Sequence, residues 1–139
     1  MKDLDWSNLS FGYRQTDYNV RCYYRDGKWG EIEVCSDEYL KLHMAATCLH
    51  YGQEAFEGLK AYRCPDGKVR VFRMDENAAR LQSTCRGILM PEVPTEMFEE
   101  MVKKVVRLNQ EWIPTYESGA TLYIRPLLIG TSPQVGVHP

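Results

Sequence analysis

The sequence predicts an α+β fold, an antiparallel β-sheet with helices packed on one face. Three observations carry that expectation. Apolar-rich runs flank Asp26-Gly27 in "NVRCYYRDGKWGEIEV" (residues 19–34), and the arrangement recurs around Pro65-Asp66-Gly67 in "LKAYRCPDGKVRVFR" (59–73). Asp-Gly between strand-like runs is a strong short-range hairpin signal, because its positions accept positive φ. Two consecutive helical segments and a strand then complete the order hairpin, short helix, hairpin, helix, helix, strand. Both hairpins and the final strand "TLYIRP" are expected to share one antiparallel sheet.

Each element follows from its residues. Between the hairpins, "SDEYLKLHMAATCLHYGQEAFEG" (36–58) reads as a turn and then a short helix ending near Gly58. In the second hairpin, Val69 and Val71 alternate with Arg70 and Arg73. The helix over 75–88, "DENAARLQSTCRGI", starts with Asp75 as N-cap, whose carboxylate accepts orphan backbone N–H groups. The helix over 95–113, "TEMFEEMVKKVVRLNQEWI", has Thr95 as its cap, Pro94 stops the earlier helix, and Glu96, Glu99 and Glu100 suit its positive end. Met97, Met101, Val105, Leu108 and Trp112 recur at helical spacing and are the expected core stripe. "GATLYIRPLLIGTSPQVGVHP" (119–139) is a strand, a proline interruption and a Gly/Pro-rich tail.

Size and composition bound the function. The 139 residues make one domain, 44% hydrophobic and 26% charged. A net charge of −2 gives no basic field for nucleic acid. No apolar run approaches the roughly 18 residues of a membrane span, and "MKDLDWSNLS" lacks a signal-peptide core. The expectation is a soluble, cytoplasmic protein without membrane or nucleic-acid partners, in which the sequon at Asn8 means nothing. Cys22, Cys35, Cys48, Cys64 and Cys85 form no CxxC pair, so reduced thiols are expected. His43, His50 and His138 lie apart from acidic or cysteine partners at ligand spacing, and no metal site is expected.

Four side chains could carry chemistry. Arg125 sits in the apolar run "LYIRPLL", where a guanidinium needs a partner or a cavity. Tyr123, two residues earlier, leaves the strand on the same face, and together they suit a carboxylate. An internal Arg–Glu bridge, for instance to Glu57, explains the spacing equally well. Arg80 follows a helix start, a place suited to phosphate, but a solvated helix face explains it too. Lys60 could form a Schiff base if desolvated, or simply face solvent. Neither a Ser-His-Asp set nor a Gly-rich phosphate loop is present.

"HYGQEAFEG" (50–58), "VFRMDENAARLQ" (71–82) and "LYIRPLLIGT" (122–131), with "LSFG" (9–12), Glu111-Trp112 and "SPQVGV" (132–137), occur in one order. This ordered set resembles the branched-chain amino acid aminotransferases, fold-type IV enzymes that use pyridoxal 5′-phosphate (PLP). The likeness covers nearly the whole chain. It implies that residues 1–139 are the small N-terminal domain of a longer enzyme, with the Schiff-base lysine in a C-terminal domain absent from this chain. No catalytic residue is then expected here, and the isolated chain is expected to be inactive.

The resemblance also implies roles. Arg80 would bind the cofactor phosphate. Tyr123 and Arg125 would receive a substrate carboxylate, notably the distal one of glutamate. Phe11, Tyr51 and Phe56 would line the aliphatic pocket, with Tyr51 reaching toward a partner subunit in a homodimer, and Lys60 would carry no covalent chemistry. The implied reaction moves the amino group of leucine, isoleucine or valine to 2-oxoglutarate, within amino-acid biosynthesis. Its alternatives are a D-amino-acid aminotransferase or aminodeoxychorismate lyase of the same fold, or a standalone binding or dimerisation domain.

Overall fold

Strands β1 (Asn19–Arg21), β2 (Tyr24–Arg25), β3 (Lys28–Trp29) and β4 (Glu33–Cys35) fold back as one antiparallel ribbon. Asp26 (φ 54°) and Gly27 (φ 78°) close it, both in the left-handed region that such a turn requires. The structure is a computed structural model and describes residues 2–136. Between the β1–β4 and β2–β3 pairs, Cys22-Tyr23 opposes Gly30-Glu31-Ile32, so one arm holds an extra residue and the ladder breaks.

This first ribbon does not join the second hairpin's sheet, contrary to expectation. Tyr24 and Arg25 of β2 are both exposed, so that strand offers no apolar side to a sheet. The ribbon is instead held by Trp29, whose Nε1–H donates to the Glu92 carbonyl at 2.9 Å, and by packing of β1 on the second long helix.

The intervening helix α1 (Thr47–Tyr51) ends earlier than the sequence suggests. Gly52 (φ 60°) turns the chain left-handed and stops it. Residues Glu54–Phe56 then form strand β5. Strands β6 (Leu59–Arg63), β7 (Val69–Val71) and β8 (Leu122–Ile124) make a three-stranded antiparallel sheet in the order β7-β6-β8, while β9 (Leu127–Ile129) pairs with β5.

Helices α2 (Met74–Gly87) and α3 (Thr95–Leu108) follow in tandem. Asp75 is not the N-cap of α2. Arg73 holds that position at φ 48°, and its guanidinium pairs with Asp75 at 3.3 Å and Glu76 at 2.6 Å in the first turn. Nor does Thr95 cap α3: Pro94 holds the N-cap position in extended conformation, and Thr95 is the first helical residue, its hydroxyl accepting from Gln82 Nε2 at 3.1 Å. The buried positions of α3 are Phe98, Val102 and Val106, offset by one from the expected stripe. Both registers of α3 are apolar. The second faces the first ribbon, where the Cys22 Sγ lies 3.8 Å from the Met97 Sδ. Buried Asn109 ends the helix, donating to Val105 and exchanging hydrogen bonds with the Tyr18 backbone.

One core joins these parts. Ala55, Leu59, Ala61 and Ile124 project from the strands onto Ala78, Leu81 and Cys85 of α2 and onto Phe98, Val102 and Val106 of α3. Strand alternation then turns Phe56, Lys60 and Tyr123 to the opposite side. The sheets therefore have a helix-covered face and an open one, and the α+β class follows. Among the described residues, no helix is long and apolar enough to cross a membrane.

Candidate functional site

Phe56, Glu57 and Gly58 link β5 to β6 and seat three other side chains. Phe56 lies under Arg125, whose guanidinium carbon is 4.4 Å from the ring centroid. Glu57 turns to the other side and takes Arg80. Gly58 makes room for Tyr123: a Cβ at this glycine would stand 2.2 Å from the phenol oxygen. The tripeptide is thus a common floor beneath two guanidinium groups and one hydroxyl.

On the open face, β8 delivers Tyr123 and Arg125 to the same side, as the two-residue period requires. The Arg125 Nη2 donates to the Tyr123 oxygen at 3.3 Å, and the guanidinium carbon lies 5.5 Å from the Tyr123 ring centroid. Phe11 closes one flank, its ring meeting that of Tyr123 edge-on at 5.4 Å. Cation–π contact holds an arginine in place while leaving its donors for a planar anion.

The internal bridge to Glu57 does not form. Among the described residues, no carboxylate reaches Arg125 within ion-pair distance, because Glu57 is committed elsewhere. It accepts Arg80 Nε at 3.0 and 2.8 Å on its two oxygens, Arg80 Nη2 at 2.6 Å, and Asn77 Nδ2 at 2.9 Å. Glu57 is 4% exposed, whereas the Arg80 side chain is 67% exposed.

Burial pushes the Glu57 carboxyl up, but hydrogen bonds from Arg80 and Asn77, with the Arg80 charge, outweigh it and hold the group below its ordinary range. The sign of the pH effect follows. A lowered folded-state value adds stability that is present above the unfolded value and lost as pH falls through the folded one. Glu57→Gln should therefore flatten the acid limb of a denaturation-midpoint profile between about pH 5 and 3. Asp66, held at about 2 by Arg70, contributes equally in both proteins. Equal slopes in wild type and variant would show that Glu57 titrates alike in the folded and unfolded chain, against the lowered value expected here.

The start of α2 is not an anion seat: Asp75 and Glu76 occupy its first turn, and Arg80 sits beyond them. Tyr51 ends α1, exposed, with its ring 6.3 Å from that of His50, and it does not join the Phe11–Tyr123–Arg125–Phe56 cluster. Lys60 is exposed opposite Tyr123 across the β6–β8 ladder. Sequence reasoning misses the pairing of Glu57 with Arg80. The one available signal is an acidic residue between two wall residues in "FEG".

The five cysteines are free, and burial raises the Cys22 and Cys85 thiols, which keeps them protonated at neutral pH. Among the described residues no cluster of three or more His, Cys, Asp or Glu could hold a metal. His138 lies outside the described residues.

No protein-family model matches the chain. It is 53% identical over 137 residues to the branched-chain-amino-acid aminotransferase of Haemophilus influenzae, covering 99% of this chain and 40% of that protein. Nearly the whole chain is thus similar to about two-fifths of a branched-chain-amino-acid aminotransferase. The branched-chain aminotransferase structure from Escherichia coli superposes with a TM-score of 0.66 at 30% identity, over 89% of this chain and 36% of that one. A T.th. branched-chain amino acid aminotransferase complexed with N-(5′-phosphopyridoxyl)-L-glutamate gives 0.61 at 29% identity, over 76% and 33%. The fold is thus the one these fold-type IV aminotransferases contain, and the chain spans about two-fifths of the length of the Haemophilus relative.

Proposed function

We propose that residues 1–139 form the small N-terminal domain of a longer PLP-dependent enzyme, which moves the amino group of leucine, isoleucine or valine to 2-oxoglutarate. One observation carries this reading beyond the relatives' names. Arg125 is a guanidinium held over Phe56 beside a phenol, with no carboxylate of the described chain neutralising it. An arginine so placed suits the distal carboxylate of glutamate or 2-oxoglutarate, with the Tyr123 hydroxyl alongside. Phe11 and Phe56 give the leucine, isoleucine or valine side chain an apolar wall, and Tyr51, which stands apart from them, is read as reaching toward a partner subunit. One pocket then serves both substrates, because the charged group stands beside an apolar surface.

The fit to PLP rests on Arg80. Its Nε and Nη2 are engaged by Glu57, its Nη1 makes no hydrogen bond among the described residues, and the side chain is exposed. A phosphate monoester fits that corner. When bound, PLP supplies the electron sink for amino transfer. The residues here bind and orient, and the lysine that bonds the cofactor belongs to the part of the enzyme beyond this chain. Phe11 at 87%, Phe56 at 56% and Tyr51 at 42% exposure leave apolar surface for a neighbouring domain or a second subunit. The enzyme is read as a cytoplasmic homodimer.

The test is turnover. The longer protein with PLP should convert leucine and 2-oxoglutarate to glutamate, and residues 1–139 alone should not. Turnover of D-alanine in place of leucine, or conversion by the 139-residue chain, would overturn the reading.

A further inference from the structure

Glu57 is the one buried carboxylate among the described residues. Removing a carboxylate from water is costly unless it is paired and hydrogen-bonded, and Arg80 and Asn77 meet that need. The pair is nevertheless lopsided. Glu57 is 4% exposed, but the side chain of its partner is 67% exposed. A guanidinium is planar and rigid, so fixing Nε and Nη2 on one carboxylate also fixes where Nη1 stands.

We propose that Glu57 is a positioning residue for the cofactor phosphate, holding the plane of Arg80 so that its Nη1 corner meets a phosphate monoester. This rests on the reading of Arg80 given under the proposed function. The negative charge of Glu57 works against an anion, so the two effects have opposite signs. Salt and water screen that repulsion at an exposed guanidinium. A free arginine side chain must instead surrender several torsions on binding. Positioning outweighs charge, and replacing Glu57 by its neutral isostere weakens phosphate recognition instead of strengthening it.

The experiment compares binding of PLP and of pyridoxal, which lacks the phosphate, to the apo form of the longer protein. The ratio of the two dissociation constants isolates the phosphate contribution and cancels any general loss of folded protein. Glu57→Gln should reduce the preference for PLP about 5- to 30-fold. Arg80→Ala should remove most of it, and adding Glu57→Gln to Arg80→Ala should change the ratio by less than about twofold, because Glu57 acts only through Arg80. An unchanged or increased preference in Glu57→Gln, with the Arg80→Ala loss intact, overturns the positioning role and leaves the phosphate role of Arg80 standing. An unchanged preference in Arg80→Ala overturns both. If Glu57→Gln does not fold, Arg80→Lys replaces it, since an ammonium keeps the charge but has no plane to lock. A comparable loss supports the proposal, and a retained preference overturns it.

Discussion

Arg125→Ala is expected to slow the glutamate half-reaction about 30- to 150-fold more than the leucine half-reaction, read as the ratio of kcat/KM values. Leucine has no second carboxylate, so it loses only the edge of an apolar wall. Glutamate loses a guanidinium that stands on the Phe56 ring, has no acidic partner among the described residues and donates to the Tyr123 phenol. Removal orphans no carboxylate among the described residues, because none of them pairs with Arg125, and the fold should persist. Single-turnover measurements on both substrates give the answer. Equal losses would mean that Arg125 supports the β8–β9 corner and not a substrate.

Arg80→Ala should act differently, weakening PLP binding about 30- to 1,000-fold while leaving the leucine response at saturating cofactor nearly unchanged. It should also lower Tm by several degrees, because Glu57 remains buried without its cation. Adding Glu57→Gln should recover much of the lost Tm but none of the lost PLP affinity. That divergence separates the structural role of the pair from its binding role. Recovery of both, or of neither, would contradict the assignment. Equilibrium titration and thermal melts on the single and double variants suffice.

Local chemistry makes much of the fold legible, and distance in sequence hides the rest. Asp26-Gly27 and Gly67 announce their turns because positive φ has few owners, and both long helices begin within a residue or two of where the sequence puts them. Residues 54–56 look helical in the sequence because the partner that makes them a strand is β9, far along the chain. The core stripe of α3 is displaced by one from the expected positions because the helix is apolar on two registers and only the packing chooses between them. In the site, strand parity correctly places Tyr123 beside Arg125. Spacing cannot tell which arginine Glu57 takes. The strand arginine, Arg125, is the candidate that spacing suggests, yet the chain brings up Arg80 from α2. The roles of Arg80 and Arg125 are proposals that the variants above address, and those of Phe11, Tyr51, Phe56 and Tyr123 are proposals that rest on the likeness.

Phe56 and Glu57 are neighbours in the chain, and each anchors one of the two arginines. Their α-carbons are about 3.8 Å apart, whatever the surrounding packing does. The Glu57 N–H also reaches the Pro126 carbonyl at 2.9 Å, which ties the residue after Arg125 to the same short segment. The two arginines thus stand on adjacent residues that face opposite sides of one short segment. A shift of that segment would move both footings at once, so the two faces of the sheet are mechanically joined at a single peptide bond.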